Sequence, residues 1–99
     1  MTALIEIGRK VHGRRSKMEV LLDILDAVSE GSVGPTKIMY RSNLSWLLFQ
    51  ESLDFLLANG LLLEEFDSVR RSYRLTEKGF KVLKGYKGLR EKLTISAST

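Results

Sequence analysis

Residues 35–60 constrain this chain more than any other stretch: P-T-K-I-M-Y-R-S-N-L-S-W-L-L-F-Q-E-S-L-D-F-L-L-A-N-G. They open on Pro35, the only proline in the chain. Helices accept proline in the first turn, where its missing N–H would have no intrahelical partner anyway. A break follows at residues 42–45. Ser45 then suits the N-cap of a second, longer helix that stops at Asn59-Gly60. Two helices joined by so short a turn make a helix-turn-helix. At about 100° per residue, Trp46, Phe49, Leu53, Leu56 and Leu57 share one face of the second helix and close a core. The opposite side carries Leu47, Leu48, Glu51, Asp54, Phe55 and Ala58, more apolar bulk than an exposed face needs.

The flanks complete the pattern. Ser16-Lys17-Met18-Glu19 is a capping box, in which the serine hydroxyl and the glutamate carboxylate each satisfy a free backbone N–H. Met18, Leu21, Leu22, Leu25 and Val28 recur at helical spacing behind it and predict a core-facing stripe that ends at Glu30-Gly31. Residues 32–34 form a short link expected to add a small third strand. After Gly60, residues 61–66 and 72–76 read as strands around a basic turn at 67–71, with Leu62, Tyr73 and Leu75 facing inward. Thr76-Glu77-Lys78-Gly79 opens a last helix whose Phe80 and Leu83 are expected to cover the domain. In that helix Val82, Tyr86, Leu89 and Leu93 lie 4, 3 and 4 apart, the spacing of a coiled-coil seam. Gly85 and Gly88 weaken it by ~1 kcal/mol each relative to alanine.

The expected elements are helices at 16–30, 35–42, 45–59 and 77–93 and strands at 61–66 and 72–76, with residues 95–99 frayed. This is an α+β, mainly α chain: a winged helix-turn-helix with a C-terminal helix. Its organisation reads as a basic N-terminal segment at 1–15, a winged-helix domain at 16–84, and a helical extension at 85–99 available for dimerisation. Within the first segment, residues 2–7 suit a short strand, and residues 8–15, with two glycines, a mobile stretch.

Ninety-nine residues, 43% apolar and 28% charged, fit one small globular domain. The chain has no cysteine, which excludes disulfides and thiolate metal sites and is compatible with a reducing cytoplasm. No apolar run has the length of a membrane helix. The start lacks the order of a secretory signal, because its basic residues follow the apolar ones. Neither a membrane partner nor a small-molecule ligand is expected. The net charge of +4 is unevenly spread. Residues 1–17 hold Arg9, Lys10, Arg14, Arg15 and Lys17 against Glu6, and residues 69–99 hold nine Lys/Arg against Glu77 and Glu91. Residues 18–36 and 51–68 hold four and five carboxylates and no Lys or Arg. Basic ends around an acidic body suit an anionic partner met by the ends. A solvated surface that happens to segregate its charge is the bland alternative.

The chain resembles a group of small archaeal winged-helix proteins, among them predicted transcriptional regulators and a dimeric, chromatin-associated DNA-binding protein. The resemblance covers about residues 14–84. It rests on Arg15-Ser16-Lys17 with Ile24-Leu25, on Pro35-Thr36-Lys37-Ile38-Met39-Tyr40 with Asn43-Leu44-Ser45-Trp46, on Leu53, Leu56 and Gly60-Leu61-Leu62, and on Tyr73-Arg74-Leu75-Thr76-Glu77-Lys78-Gly79. It implies DNA binding. It also implies a dimer built by an antiparallel coiled coil of the last helix, although this helix is short and holds two glycines.

Residue chemistry points the same way. An enzyme is not expected, and neither is a cofactor or a metal. The one histidine, His12, has no recognisable partner, and the adjacent Glu64 and Glu65 point to opposite faces of a strand. In a helix-turn-helix the N-terminal part of the second helix enters the major groove of double-stranded DNA. Here that part offers Asn43, Ser45, Trp46, Leu47 and Gln50; glutamine can read adenine, and leucine can touch a thymine methyl. Lys37 and Arg41 suit phosphates, Arg70, Arg71 and Arg74 of the wing suit the backbone or the minor groove, and Arg14, Arg15 and Lys17 form an arm. The second helix carries no Lys or Arg but does carry Glu51 and Asp54, so affinity is expected to lean on the wing, the arm and the first helix of the pair. For dimerisation, Leu48 and Phe55 can receive the partner's last helix, with Val82, Tyr86, Leu89 and Leu93 as its seam. The expected protein is a cytoplasmic, nucleoid-associated, homodimeric DNA-binding regulator or chromatin-type binder. The rival is a winged helix used for protein–protein contact through Leu47, Leu48 and Phe55.

Overall fold

The computed structural model describes the backbone of residues 15–98 and the side chains of residues 15–93. The element order is α1 (Lys17–Ser29), α2 (Pro35–Ser42), α3 (Trp46–Ala58), β1 (Leu62–Asp67), β2 (Arg70–Leu75) and α4 (Glu77–Ser98). The strand and mobile stretch expected before residue 15, and His12, lie outside the described residues.

Local chemistry sets the helix boundaries. The Ser16 hydroxyl accepts from the Glu19 N–H at 3.1 Å, and the Glu19 carboxylate accepts from the Ser16 N–H at 2.9 Å, so the capping box forms. That bond from the Ser16 backbone also holds the Glu19 carboxyl below its ordinary pKa. Pro35 sits at the start of α2, and the Ser45 hydroxyl caps α3 by accepting from the Leu48 N–H at 3.3 Å. The first three helices end alike. Gly31, Asn43 and Gly60 take positive φ values of 103°, 57° and 71°. Paired reverse bonds then close each end, as in Leu61 N–H to Leu56 C=O and Gly60 N–H to Leu57 C=O.

The core sits where α1 packs against α2, α3, β2 and α4. Ile24, Leu25, Ile38, Phe49, Leu56, Leu62 and Tyr73 are its largest fully buried side chains. Neighbours on several sides of α1 bury Val20, Ile24 and Ala27 in addition to Leu22, Leu25 and Val28. Met18, expected on that stripe, is exposed, because the first turn of the helix overhangs the core. Phe80 is likewise exposed rather than covering the domain; Leu83 makes that contact.

β1 and β2 are antiparallel and form a two-stranded sheet. Their last pair is Asp67 with Arg70, so the turn is only Ser68-Val69, with Ser68 at φ 49°. The basic turn expected at 67–71 is therefore shorter, and Arg70 and Arg71 lie within β2. The link at 32–34 is not a third strand. It contributes one bond, from the Tyr73 N–H to the Val33 C=O at 2.9 Å.

α4 starts where Thr76 ties it to the end of α3. The Thr76 hydroxyl donates to the Gly60 C=O at 2.6 Å and accepts from the Gly79 N–H at 3.0 Å. Gly79 packs so closely that a Cβ there would lie 2.0 Å from the Leu61 carbonyl oxygen. The helix continues to Ser98, past the expected end at residue 93 and through the stretch expected to fray. No described helix is long and apolar enough to cross a membrane.

Candidate nucleic-acid interface

The break between α2 and α3 is braced from outside. The Arg15 guanidinium donates to the Asp23 carboxylate at 2.6 Å, the Ser42 C=O at 2.7 Å and the Asn43 C=O at 2.7 Å. The two carbonyls belong to the negative end of α2, where a cation is favourable. Sequence reasoning put Arg15 in an arm with Arg14 and Lys17; in the structure its side chain turns inward. Arg14 lies outside the described residues, and Lys17 is exposed.

This brace sets the start of α3. Asn43 holds the left-handed position that ends α2, and Ser45 is occupied as a cap, so both have structural duties in addition to the reading role expected of them. Trp46 is 55% exposed, not core as its place on the helix wheel implied. It stands in the first turn, before the helix enters the core, with its ring centroid 5.8 Å from that of Phe49. Leu47 is 68% exposed, and Gln50 is half-buried. Asn43, Trp46, Leu47 and Gln50 are thus brought together at one end of α3. On α2, Lys37 is exposed, while Arg41 is paired with Glu30.

The wing carries its own counter-charge. Arg71 Nε lies 3.3 Å from Glu64 Oε2, which also accepts from the buried Tyr73 hydroxyl at 2.9 Å. Arg74 Nε lies 3.6 Å from Glu65, and Arg70 stands opposite Asp67 in the register. Burial raises the pKa of the Tyr73 hydroxyl, and the Tyr73 oxygen, followed by Glu64, raises that of Arg71. Three arginines therefore face three carboxylates, and the wing as a whole is neutral. Sequence reasoning missed this pairing. Its signal was the run Glu64-Glu65-x-Asp67 set against Arg70-Arg71-x-x-Arg74, readable once a two-residue turn fixes the register.

The apolar groups expected at a dimer interface divide. Leu48 and Phe55 are exposed on the outer side of α3, and Val82, Leu89 and Leu93 are exposed on α4. Tyr86 is half-buried against its own core, with the Arg90 guanidinium 5.6 Å from its ring centre. Near it, Lys87 Nζ lies 2.7 Å from Asp26 Oδ1. That oxygen is buried and accepts no well-directed hydrogen bond, but at this separation the two full charges still make an ion contact. No described group of three His, Cys, Asp or Glu residues is arranged to hold a metal.

A braced two-helix unit, a hairpin packed against its first helix and a trailing helix define a winged helix-turn-helix protein. The comparisons agree: the family model described as "Winged helix-turn-helix" matches residues 14–94, and the chain belongs to that family. Two uncharacterized proteins of Methanocaldococcus jannaschii, MJ0287 and MJ0290, are each 38% identical to it. The matches span 70% of this chain and 67% of MJ0287, and 67% of this chain but only 29% of MJ0290. Among solved structures the chain is similar to Sso10a-2, a DNA-binding protein from Sulfolobus solfataricus, with a TM-score of 0.65 and 27% identity over 85% of this chain and 90% of that one. Lactococcus lactis ZitR in complex with DNA shares the fold, with a TM-score of 0.67 and 22% identity over 81% of this chain and 57% of that one.

Proposed function

We propose that this chain binds double-stranded DNA as a homodimer and acts as a transcriptional regulator or chromatin-type binder. The observation that carries the reading is the brace at the helix-turn-helix break. Arg15 fixes two backbone carbonyls beside the N-terminus of α3, which presents Trp46 and Leu47 outward with the half-buried Gln50 beside them. The likeness to a DNA-binding protein over most of both chains supports it. Lys37 and the wing arginines would meet phosphates, and the wing would first exchange Glu64 and Glu65 for them. Val82, Leu89 and Leu93, with Leu48 and Phe55, supply apolar surface for a second copy.

Fluorescence anisotropy on random and genomic duplexes at two salt concentrations tests the reading. Binding should weaken as salt rises. An Arg70→Ala/Arg71→Ala variant should bind every sequence less tightly, with a log K against log salt slope flatter by up to about 0.9 per lost contact. A wild type that binds no duplex at low salt would refute the reading. The protein–protein alternative draws on one specific observation: α3 exposes Leu47, Leu48 and Phe55 beside Glu51 and Asp54 and has no cation. It predicts that no salt-sensitive duplex binding occurs.

A further inference from the structure

We infer that α4 carries a second nucleic-acid contact, a lysine face that engages backbone phosphates and supplies the attraction the winged body lacks. The inference deepens the DNA-binding reading and rests on it. Charge is its first ground. Residues 15–76, which hold the helix-turn-helix and the wing, carry nine carboxylates against seven Lys/Arg. α4 carries six Lys/Arg against Glu77 and Glu91. A winged body that is net acidic repels a polyanion beyond contact range, whereas α4 attracts one.

Placement is the second ground. Among the described residues, three cations of α4 are engaged: Lys87 with Asp26 and Arg90 with Tyr86 on its inner side, and Lys78, nearer the lysine face, with the Asn59 C=O at 2.9 Å. Lys81, Lys84 and Lys92 are exposed and have no carboxylate partner among the described residues; Lys84 does lie over the exposed Phe80 ring, with its Nζ 6.0 Å from the ring centre. At about 100° per residue these three fall within roughly 80° of one another, on the side away from Leu83 and Tyr86; Glu77 falls among them and Glu91 at their edge, so this side keeps a smaller net positive charge than the helix as a whole. Over their roughly 16 Å of helix, a duplex presents about ten charges. The molecule measures 53 × 26 × 21 Å, so one dimension is drawn out to about twice the others.

The third ground is that this face is separate from the apolar stripe. Val82, Leu89 and Leu93 lie roughly 120° around the helix from the centre of the lysine face. A second copy docked on the stripe leaves the lysines uncovered and doubles their number in the assembly.

The test uses the full chain and three proteins: wild type, Lys81→Gln/Lys84→Gln/Lys92→Gln, and Leu47→Ala/Gln50→Ala. Each is titrated onto a random-sequence duplex between about 50 and 200 mM salt. The triple-lysine variant should bind about tenfold or more weakly at the lower salt, with a slope flatter by up to about 2.7, or 0.9 for each of three contacts. Circular-dichroism melting should be unchanged, because all three residues are exposed. A triple variant with wild-type affinity and slope overturns the inference. If the Leu47/Gln50 variant then weakens, the DNA-binding reading stands without it. A wild type that binds no duplex overturns both.

Discussion

The Arg15 guanidinium donates to the main-chain carbonyl of Asn43, 28 residues further on, and ties the approach to α1 to the break that aims α3. The same guanidinium also meets Ser42 and Asp23, so one side chain joins three segments. Replacing it with alanine leaves two carbonyls and a carboxylate without their donor. Arg15→Ala should lower stability by about 1–3 kcal/mol, the scale for hydrogen bonds to a charged group. Arg15→Lys should recover only part of this, because an ammonium cannot reproduce the planar fork. Urea denaturation measures both, and a loss under about 0.5 kcal/mol for the alanine variant, the size of an ordinary surface change, would show that the brace is idle.

Two glycines of α4 should respond in opposite directions. Gly79→Ala would set a methyl group 2.0 Å from the Leu61 carbonyl oxygen, backbone that cannot swing aside. It should cost about 1–3 kcal/mol or more, as overpacking does. Gly85 has open space around its Cβ position, so Gly85→Ala should stabilise the helix by up to about 1 kcal/mol. Thermal melting of the two variants side by side checks this, and equal shifts would refute the close approach.

Acid should weaken the fold in part through Glu19. Its bond from the Ser16 backbone N–H depresses the pKa in the folded state. The unfolded chain therefore binds more protons in this range. The stabilisation is present above the unfolded value, about 4.3, and is lost as pH falls through the lower folded one. Glu19→Gln keeps a capping-box residue but cannot titrate. Its melting temperature should fall less than that of the wild type between pH 7 and 3. Parallel curves for the two proteins would discount this group.

Self-association should depend on the exposed stripe of α4. Burying a leucine fully is worth ~1.5–3 kcal/mol, so Leu89→Glu should shift a dimer strongly toward monomer without unfolding it. Sedimentation equilibrium of both proteins decides. A wild type still monomeric at about 100 µM, well above a micromolar dissociation constant, would remove the homodimer from the proposal.

The sequence by itself determined where the helices of the domain body start and stop. Caps at Ser16 and Ser45, Pro35 at a first turn, and Gly31 and Gly60 past helix ends all act through bonds within a few residues, so local chemistry is enough. Helical spacing likewise identified Leu25, Phe49, Leu53 and Leu56 as core. Tertiary structure decided the rest. Trp46 and Met18 are exposed because they stand in first turns that overhang the core, and periodicity does not say where a core ends; Phe80 is exposed because the first turn of α4 packs through Gly79 instead. α4 runs through Gly85 and Gly88 because its inner side is held to α1, with Lys87 beside Asp26. The partners of Arg15 and of the wing arginines depend on contacts distant in sequence and on a turn with Ser68 at positive φ, a conformation serine does not favour by itself. Which cations are left for a partner is therefore a property of the folded chain, because each arginine is engaged or available according to the carboxylates and carbonyls that packing brings beside it.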